Sequence, residues 1–311
     1  MMRTTRISLL SLLLVLFGPL FAFGQNAIEP RDAPADGLEL RVMTFNIRYG
    51  AADDGENHWD KRRDLVFAVF ADHRPDVAGL QEALVWQIDQ IRAARPRYGS
   101  IGVGRDDGKE KGEFCPILYR TDSFDVTHHG TFWLSDTPET PGSRSWGNPL
   151  PRICTWARLT EKRTGRSFYI YNLHLSHVSQ PSRERSVDLL ARRINDRRPQ
   201  DPVIVTGDFN AGEANPAIRF LKGEPVAPTA SHQPAVAPPA LVDSFRVRHP
   251  DVGEAGTFNA FRGRTDGDKI DYVFVQREAR VLDAAIIRDH RDGRYPSDHF
   301  PVVATVRLLG Q

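Results

Sequence analysis

The chain has little cysteine: Cys115 and Cys154 are its only two. No cysteine cluster can hold a metal, so any bound cation must rest on oxygen or imidazole ligands. Both lie in strand-like stretches, which is compatible with one disulfide and equally with two buried thiols. Excess charge of either sign is missing too. The formal balance is +1, and removing Arg3 and Arg6 with an N-terminal leader takes it to −1. A near-neutral chain has no global basic field, which argues against a long nucleic-acid footprint while leaving room for a local basic cleft. There is no internal repeat at solenoid spacing. No Gly-x-Ser-x-Gly elbow occurs, and Ser297-Asp298-His299 are consecutive residues that cannot chain hydrogen bonds as a nucleophilic triad, so acyl transfer is rejected.

The one long apolar run is Ile7 to Phe23, preceded by Arg3 and Arg6 and broken by Gly18-Pro19. Ala22-Phe23-Gly24 offers small residues where a signal peptidase cuts, so residues 1–24 are expected to be a cleaved signal peptide. An uncleaved anchor is the competing reading, against which the Gly-Pro break argues. The mature protein is then periplasmic or secreted, with no stable membrane partner, and is expected to be a monomer. Residues 25–37 read as a leader and 38–311 as one large domain.

Several segments follow clear periods. Leu38 to Ile47 alternates as a strand with Val42, Thr44 and Asn46 on one face. Trp59 to Arg74 and Leu84 to Arg95 carry helical spacing, with the short strand Val77 to Leu80 between them. After a charged loop, Arg105 to Glu113, come strands at Pro116 to Arg120, Ser123 to Leu134, Ile153 to Glu161 and Ser167 to His174. Ser182 to Arg197 reads as a helix, and Asn215-Pro216 as an N-cap with proline at the first helical position. Gly223 to Pro239 is a Pro/Ala-rich surface insertion. Leu241 to Phe245, Thr257 to Phe261, Ile270 to Gln276, Val281 to Arg288 and Phe300 to Leu308 read as further strands. The economical architecture is α/β, with two mixed sheets flanked by helices.

Chemistry concentrates at strand ends. Val203 to Val205 is a buried apolar run that ends by presenting Asp208 and Asn210, a carboxylate and a carboxamide suited to activating a water. An Asx turn closing the strand is the plain alternative. Asn46, Glu82, His174, Asp271, and Asp298 with His299 also end strands, and gathered at one sheet edge they would supply a hard-metal site, imidazoles and a water-activating carboxylate.

Together Met43-Thr-Phe-Asn46, Leu80-Gln-Glu82, Asn172-Leu-His174, Gly207-Asp208-Phe-Asn210, Lys269-Ile-Asp271-Tyr and Ser297-Asp298-His299, in this order, make the chain resemble the endonuclease/exonuclease/phosphatase superfamily. That superfamily includes pancreatic-type deoxyribonucleases, apurinic endonucleases, poly(A) deadenylases, bacterial sphingomyelinases and inositol polyphosphate phosphatases. The resemblance implies a four-layer α-β-β-α sandwich and a Mg²⁺- or Mn²⁺-dependent hydrolase of phosphate esters, whether nucleic acid, lipid headgroup or small phosphorylated molecule. It implies Glu82 as principal metal ligand with Asn46 beside it and Asp298 close by. Asp208 would activate water with help from Asn210, His299 held by Asp271 would contact the phosphate, and His174 would bind a phosphate oxygen or assist the leaving group. Such a set fits phosphoryl transfer, which needs positioning and charge neutralisation. A phosphodiester is favoured over a monoester, and a catalytically silent phosphate-binding module is the alternative outside enzymes. Two positions depart from the family: Arg48 stands where some members carry an acid, and Ser176 replaces an acid in His174-Leu-Ser-His177. Arg105, Trp146, Arg152 and His177 are the candidates for substrate contact.

Overall fold

Period-two alternation in Leu38 to Ile47 puts apolar side chains on both faces, which only a strand covered on both sides can bury. The computed structural model describes residues 37–227 and 236–309 and makes that strand central. One six-stranded sheet runs β11 (Arg280–Ile286), β12 (Val302–Leu308), β1 (Leu38–Asn46), β2 (Val77–Gln81), β4 (Ile117–Arg120) and β3 (Tyr98–Ile101). The other runs β5 (Phe124–Trp133), β6 (Ile153–Glu161), β7 (Ser167–His174), β8 (Val203–Asp208), β10 (Asp271–Gln276) and β9 (Leu241–Asp243). Both sheets are mixed: β1 with β2, and β7 with β8, are parallel pairs.

The layers follow from which face each apolar residue takes. Leu38, Leu40 and Val42 pack between the sheets with Ile170, Ile204 and Val273. Met43, Phe45 and Ile47 point the other way, onto α1 (Trp59–His73) and α2 (Val85–Ala94) through Val66, Phe70 and Ile91. On the far side, α3 (Gln180–Asp196) and α4 (Pro216–Leu221) cover the second sheet through Val187, Leu190, Ile218 and Leu221. The result is the expected helix, sheet, sheet, helix sandwich.

A polar seam joins the sheets near the functional end. Gln81 Nε2 donates to Asn172 Oδ1 at 2.7 Å and to Thr44 Oγ1 at 3.1 Å, while Asn172 Nδ2 donates to the carbonyl of Leu80 at 2.7 Å. Every member is buried and hydrogen-bonded, with only Gln81 Oε1 left without a partner, so the seam ties β2 to β7 by directional bonds that apolar packing lacks.

Two local readings change. Leu241 to Phe245 is a strand only to Asp243, whose side chain accepts the Phe245 N–H and starts α5 (Ser244–Arg248). Thr257 to Phe261 is a turn with a single bridge from Phe258 to His299, because Ala260 and Phe261 hold φ of 55° and 58°. Tyr98 to Ile101, given no element from the sequence, is β3. Cys115 and Cys154 are buried free thiols, and burial pushes Cys115 up to about 12. The proposed signal peptide and most of the leader lie outside the described residues.

Candidate active site

Strand register builds the floor of the site. His174 on β7 and Asp271 on β10 are both in register with Asp208 at the end of β8, so the last residues of β7 and β8 and the first residue of antiparallel β10 lie at one level. From the other sheet, β1 ends at Asn46 and β2 runs on into Glu82. Asn46 Nδ2 donates to Glu82 Oε1 at 3.1 Å and to Asp208 Oδ2 at 3.0 Å, while its Oδ1 accepts the Arg48 N–H at 3.0 Å. Glu82 Oε2 accepts the Tyr49 N–H at 2.8 Å. Arg48, Glu82 and Asn210 hold φ of 62°, 59° and 48°, a left-handed conformation that non-glycine residues adopt at a cost and that collects at functional sites.

His299 Nδ1 lies 2.9 Å from Asp271 Oδ2, and its Nε2 lies 3.8 Å from Asp208 Oδ2. Burial works against charging this imidazole, but Asp271, Asp208 and Asp298 raise it well above the ordinary histidine range. Asp208 is pushed up to about 7, first by burial and then by Asp271, against the pull of His299 and the hydrogen bonds from Asn46 and the Asn210 N–H. Burial likewise raises Asp298, with Glu82 adding to it and His299 and Arg48 opposing. Glu82 ends below its ordinary value: burial lifts it, yet Asn46, His299, the Tyr49 N–H and Arg48 together outweigh that. His174 is driven well down by burial and then by Arg152, so it is neutral, with Nε2 3.4 Å from Asp208 Oδ2.

These groups open onto a cleft of about 690 Å³ lined by eight of the twelve candidate residues. Glu82, His174, Asp208, Asn210, Asp298, His299, Arg152 and His177 line it directly. Asn46 and Asp271 lie fully buried beneath it. Asn210 acts on Asp208 through its backbone N–H at 2.9 Å, and its side-chain Nδ2 is tied to the Leu175 carbonyl at 3.1 Å. Two candidates do not reach the wall. Arg105 is buried behind it, with Nη1 2.6 Å from Glu113 Oε2, and Trp146 donates its indole N–H to Asp136 at 2.8 Å.

Sequence reasoning passed over Glu113, Arg48 and Phe258, all of which line the cleft. Glu113 looks like one more member of the charged run from Arg105. Arg48 was noted only as a departure; it pairs with Asp54 through two nitrogens at 2.9 Å and stands 3.8 Å from Asp298. Phe258 is 46% exposed and meets the His299 ring edge-on at 5.2 Å.

The donor set fits a hard divalent cation. Glu82, Asp208, Asp271 and Asp298 crowd carboxylates around one cleft end, and Asp208 and Asp298 are raised chiefly by burial, with a neighbouring carboxylate adding to it in each case. Ligand atoms of Asp208, Asp271 and His299 also lie within 4.8 Å of one another. In that trio, however, the imidazole already stands between two carboxylates, which leaves the carboxylate oxygens of Glu82 and Asp298 as the better fit for a hard divalent cation.

Fold and cluster together define a class: an α-β-β-α sandwich whose strand ends gather carboxylates, an amide and imidazoles for chemistry on a phosphate. The family model described as "Endonuclease/Exonuclease/phosphatase family" matches residues 43–299, and the chain belongs to that family, whose members are phosphoester hydrolases. An endonuclease/exonuclease/phosphatase family protein from Bacteroides thetaiotaomicron is 32% identical with a TM-score of 0.77, over 88% of this chain and 99% of that one. A mannosyl-6-phosphatase from the same organism is 33% identical with a TM-score of 0.74, over 86% and 99% of the two chains. Nocturnin from Drosophila melanogaster is 24% identical over 89% of this chain, which spans only 48% of that relative's length.

Proposed function

We propose that this protein is a divalent-metal-dependent phosphoester hydrolase acting on monoesters of small polyhydroxylated molecules, sugar phosphates foremost. The observation that carries the reading is the Asn46, Glu82, Asp208, Asp271 and His299 cluster at the floor of a cleft whose walls mix acid with base. The diester favoured from sequence yields here to the monoester. The 33% identity to a mannosyl-6-phosphatase supports that choice.

Glu82 and Asp298, beside Asn46, would hold the cation, which when bound neutralises charge on the phosphoryl oxygens. Asp208, once deprotonated, takes the proton of the attacking water, held by the Asn210 N–H and by Asn46. His299, kept protonated by Asp271, donates to a phosphoryl oxygen; neutral His174 offers a hydrogen bond on the opposite side of Asp208. The reading keeps an exported, monomeric enzyme released by removal of residues 1–24, which N-terminal sequencing of the mature protein checks. Orthophosphate release from hexose 6-phosphates, compared with hydrolysis of a bis-aryl phosphate, tests the substrate class. Faster turnover of the diester would sink it.

A further inference from the structure

Arg152 stands just before β6, is 4% exposed and lines the cleft. Its Nη2 lies 2.9 Å from His177 Nδ1. A guanidinium only donates, so Nδ1 accepts and the imidazole proton sits on Nε2. His177 also lines the cleft, and burial followed by Arg152 holds it neutral, so it offers that N–H as a donor.

What is unusual is how little holds the charge of Arg152. Its Nε and Nη1 have no hydrogen-bond partner. Glu113, the wall carboxylate with the strongest pull on it, gives Oε2 to Arg105 at 2.6 Å instead. No carboxylate among the described residues pairs with Arg152. A buried guanidinium left this way is costly and persists where an arriving anion completes it. After burial, Arg152 is the largest influence on His174, so its charge bears directly on the catalytic cluster.

We propose that Arg152, with the His177 Nε2–H beside it, holds a non-bridging oxygen of the terminal phosphoryl group and selects monoester dianions over diesters. The inference rests on the phosphoesterase reading and goes beyond it by assigning the selection to one side chain. A monoester carries one more charged oxygen than a diester. The cation and His299 serve oxygens that both esters share, whereas Arg152 and His177 supply a positive charge and a donor for the extra one. In a diester the same oxygen bears a second organic group, which forfeits the charge and needs room that the guanidinium fills.

The experiment compares kcat/KM for p-nitrophenyl phosphate and bis-p-nitrophenyl phosphate, together with orthophosphate inhibition, in wild type, Arg152→Gln and Arg152→Lys at fixed Mg²⁺. Arg152→Gln should lower the monoester-to-diester ratio by roughly 10- to 100-fold and weaken orthophosphate by a similar factor, the worth of one charge-assisted hydrogen bond. Arg152→Lys should recover part of both and guards against a fold defect. Equal loss on both esters with orthophosphate unchanged would overturn the assignment and leave the phosphoesterase reading standing. A wild type that cleaves neither ester sinks that reading, and orthophosphate binding measured by calorimetry then decides the Arg152 cradle alone.

Discussion

Asn46 Nδ2 stands 3.0 Å from Asp208 Oδ2, a hydrogen bond that crosses from one sheet to the other at the floor of the cleft. It fastens the end of β1 to the end of β8 and leaves Asp208 with an acceptor role at both oxygens, since Oδ1 takes the Asn210 N–H. Asp208 is nevertheless raised to about 7, so this bond moderates a carboxylate that burial and Asp271 otherwise disfavour.

A group raised in the folded state contributes stability that is fully present below its unfolded value, about 3.9, and is lost as pH rises through the folded value. For Asp208 that window ends near 7. In EDTA, Asp208→Asn should therefore melt higher than wild type at pH 8, with the gain gone by pH 4. The same variant should lose about 1,000-fold in kcat. A melting gain that does not vary with pH would contradict the assignment.

Asp271→Asn removes the carboxylate that His299 Nδ1 faces at 2.9 Å. His299 is raised, so its contribution to stability is present below about 6.5 and lost as pH rises through its higher folded value. The variant should lose roughly 100- to 10,000-fold in kcat/KM, and the alkaline limb of its pH profile should move to lower pH. An unshifted limb would show that another group sets it.

Much of the site was legible because its residues end strands whose period is unambiguous, as in Thr44 to Asn46 and Val205 to Asp208. What the pattern could not carry was local backbone choice. Thr257 to Phe261 alternates like a strand, yet Ala260 and Phe261 take positive φ and turn the chain so that Phe258 meets His299. Tyr98 to Ile101 is too short to show a period, yet it forms β3, where a Cβ on Gly99 would come within 2.7 Å of the Tyr119 ring. Nor does a charged run say which member turns inward, which is why Glu113 and the burial of Arg105 emerge only in three dimensions.

Arg62 is 1% exposed and donates to four carbonyls: Asn57, Ile47 and Pro296 at 2.8 Å, and Arg48 at 3.3 Å. It lies between the Trp59 and Phe261 rings at 5.3 and 5.5 Å. It thereby joins the segment after Asn46 to the segment before Asp298. Arg62→Met should cost roughly 3 kcal/mol or more in urea unfolding, because several buried carbonyls lose their donor at once. A loss below about 1 kcal/mol would mean water replaces the guanidinium.

Gly79 sits on β2 where a Cβ would come within 2.2 Å of Thr206 Oγ1 and 2.3 Å of Asn172 Oδ1. Gly79→Ala should destabilise the fold by about 1–3 kcal/mol through overpacking of the inter-sheet seam. Because β2 leads into Glu82, activity per folded molecule should fall as well. Full activity at wild-type stability would show that the seam is soft.

The central claim is tested most directly by orthophosphate release from a hexose 6-phosphate, with the mature protein assayed in EDTA, after Mg²⁺ is restored, and in Mg²⁺ with Asp208→Asn. The account predicts turnover only for wild type with the cation. Equal turnover in EDTA, or undiminished turnover by Asp208→Asn, would contradict it.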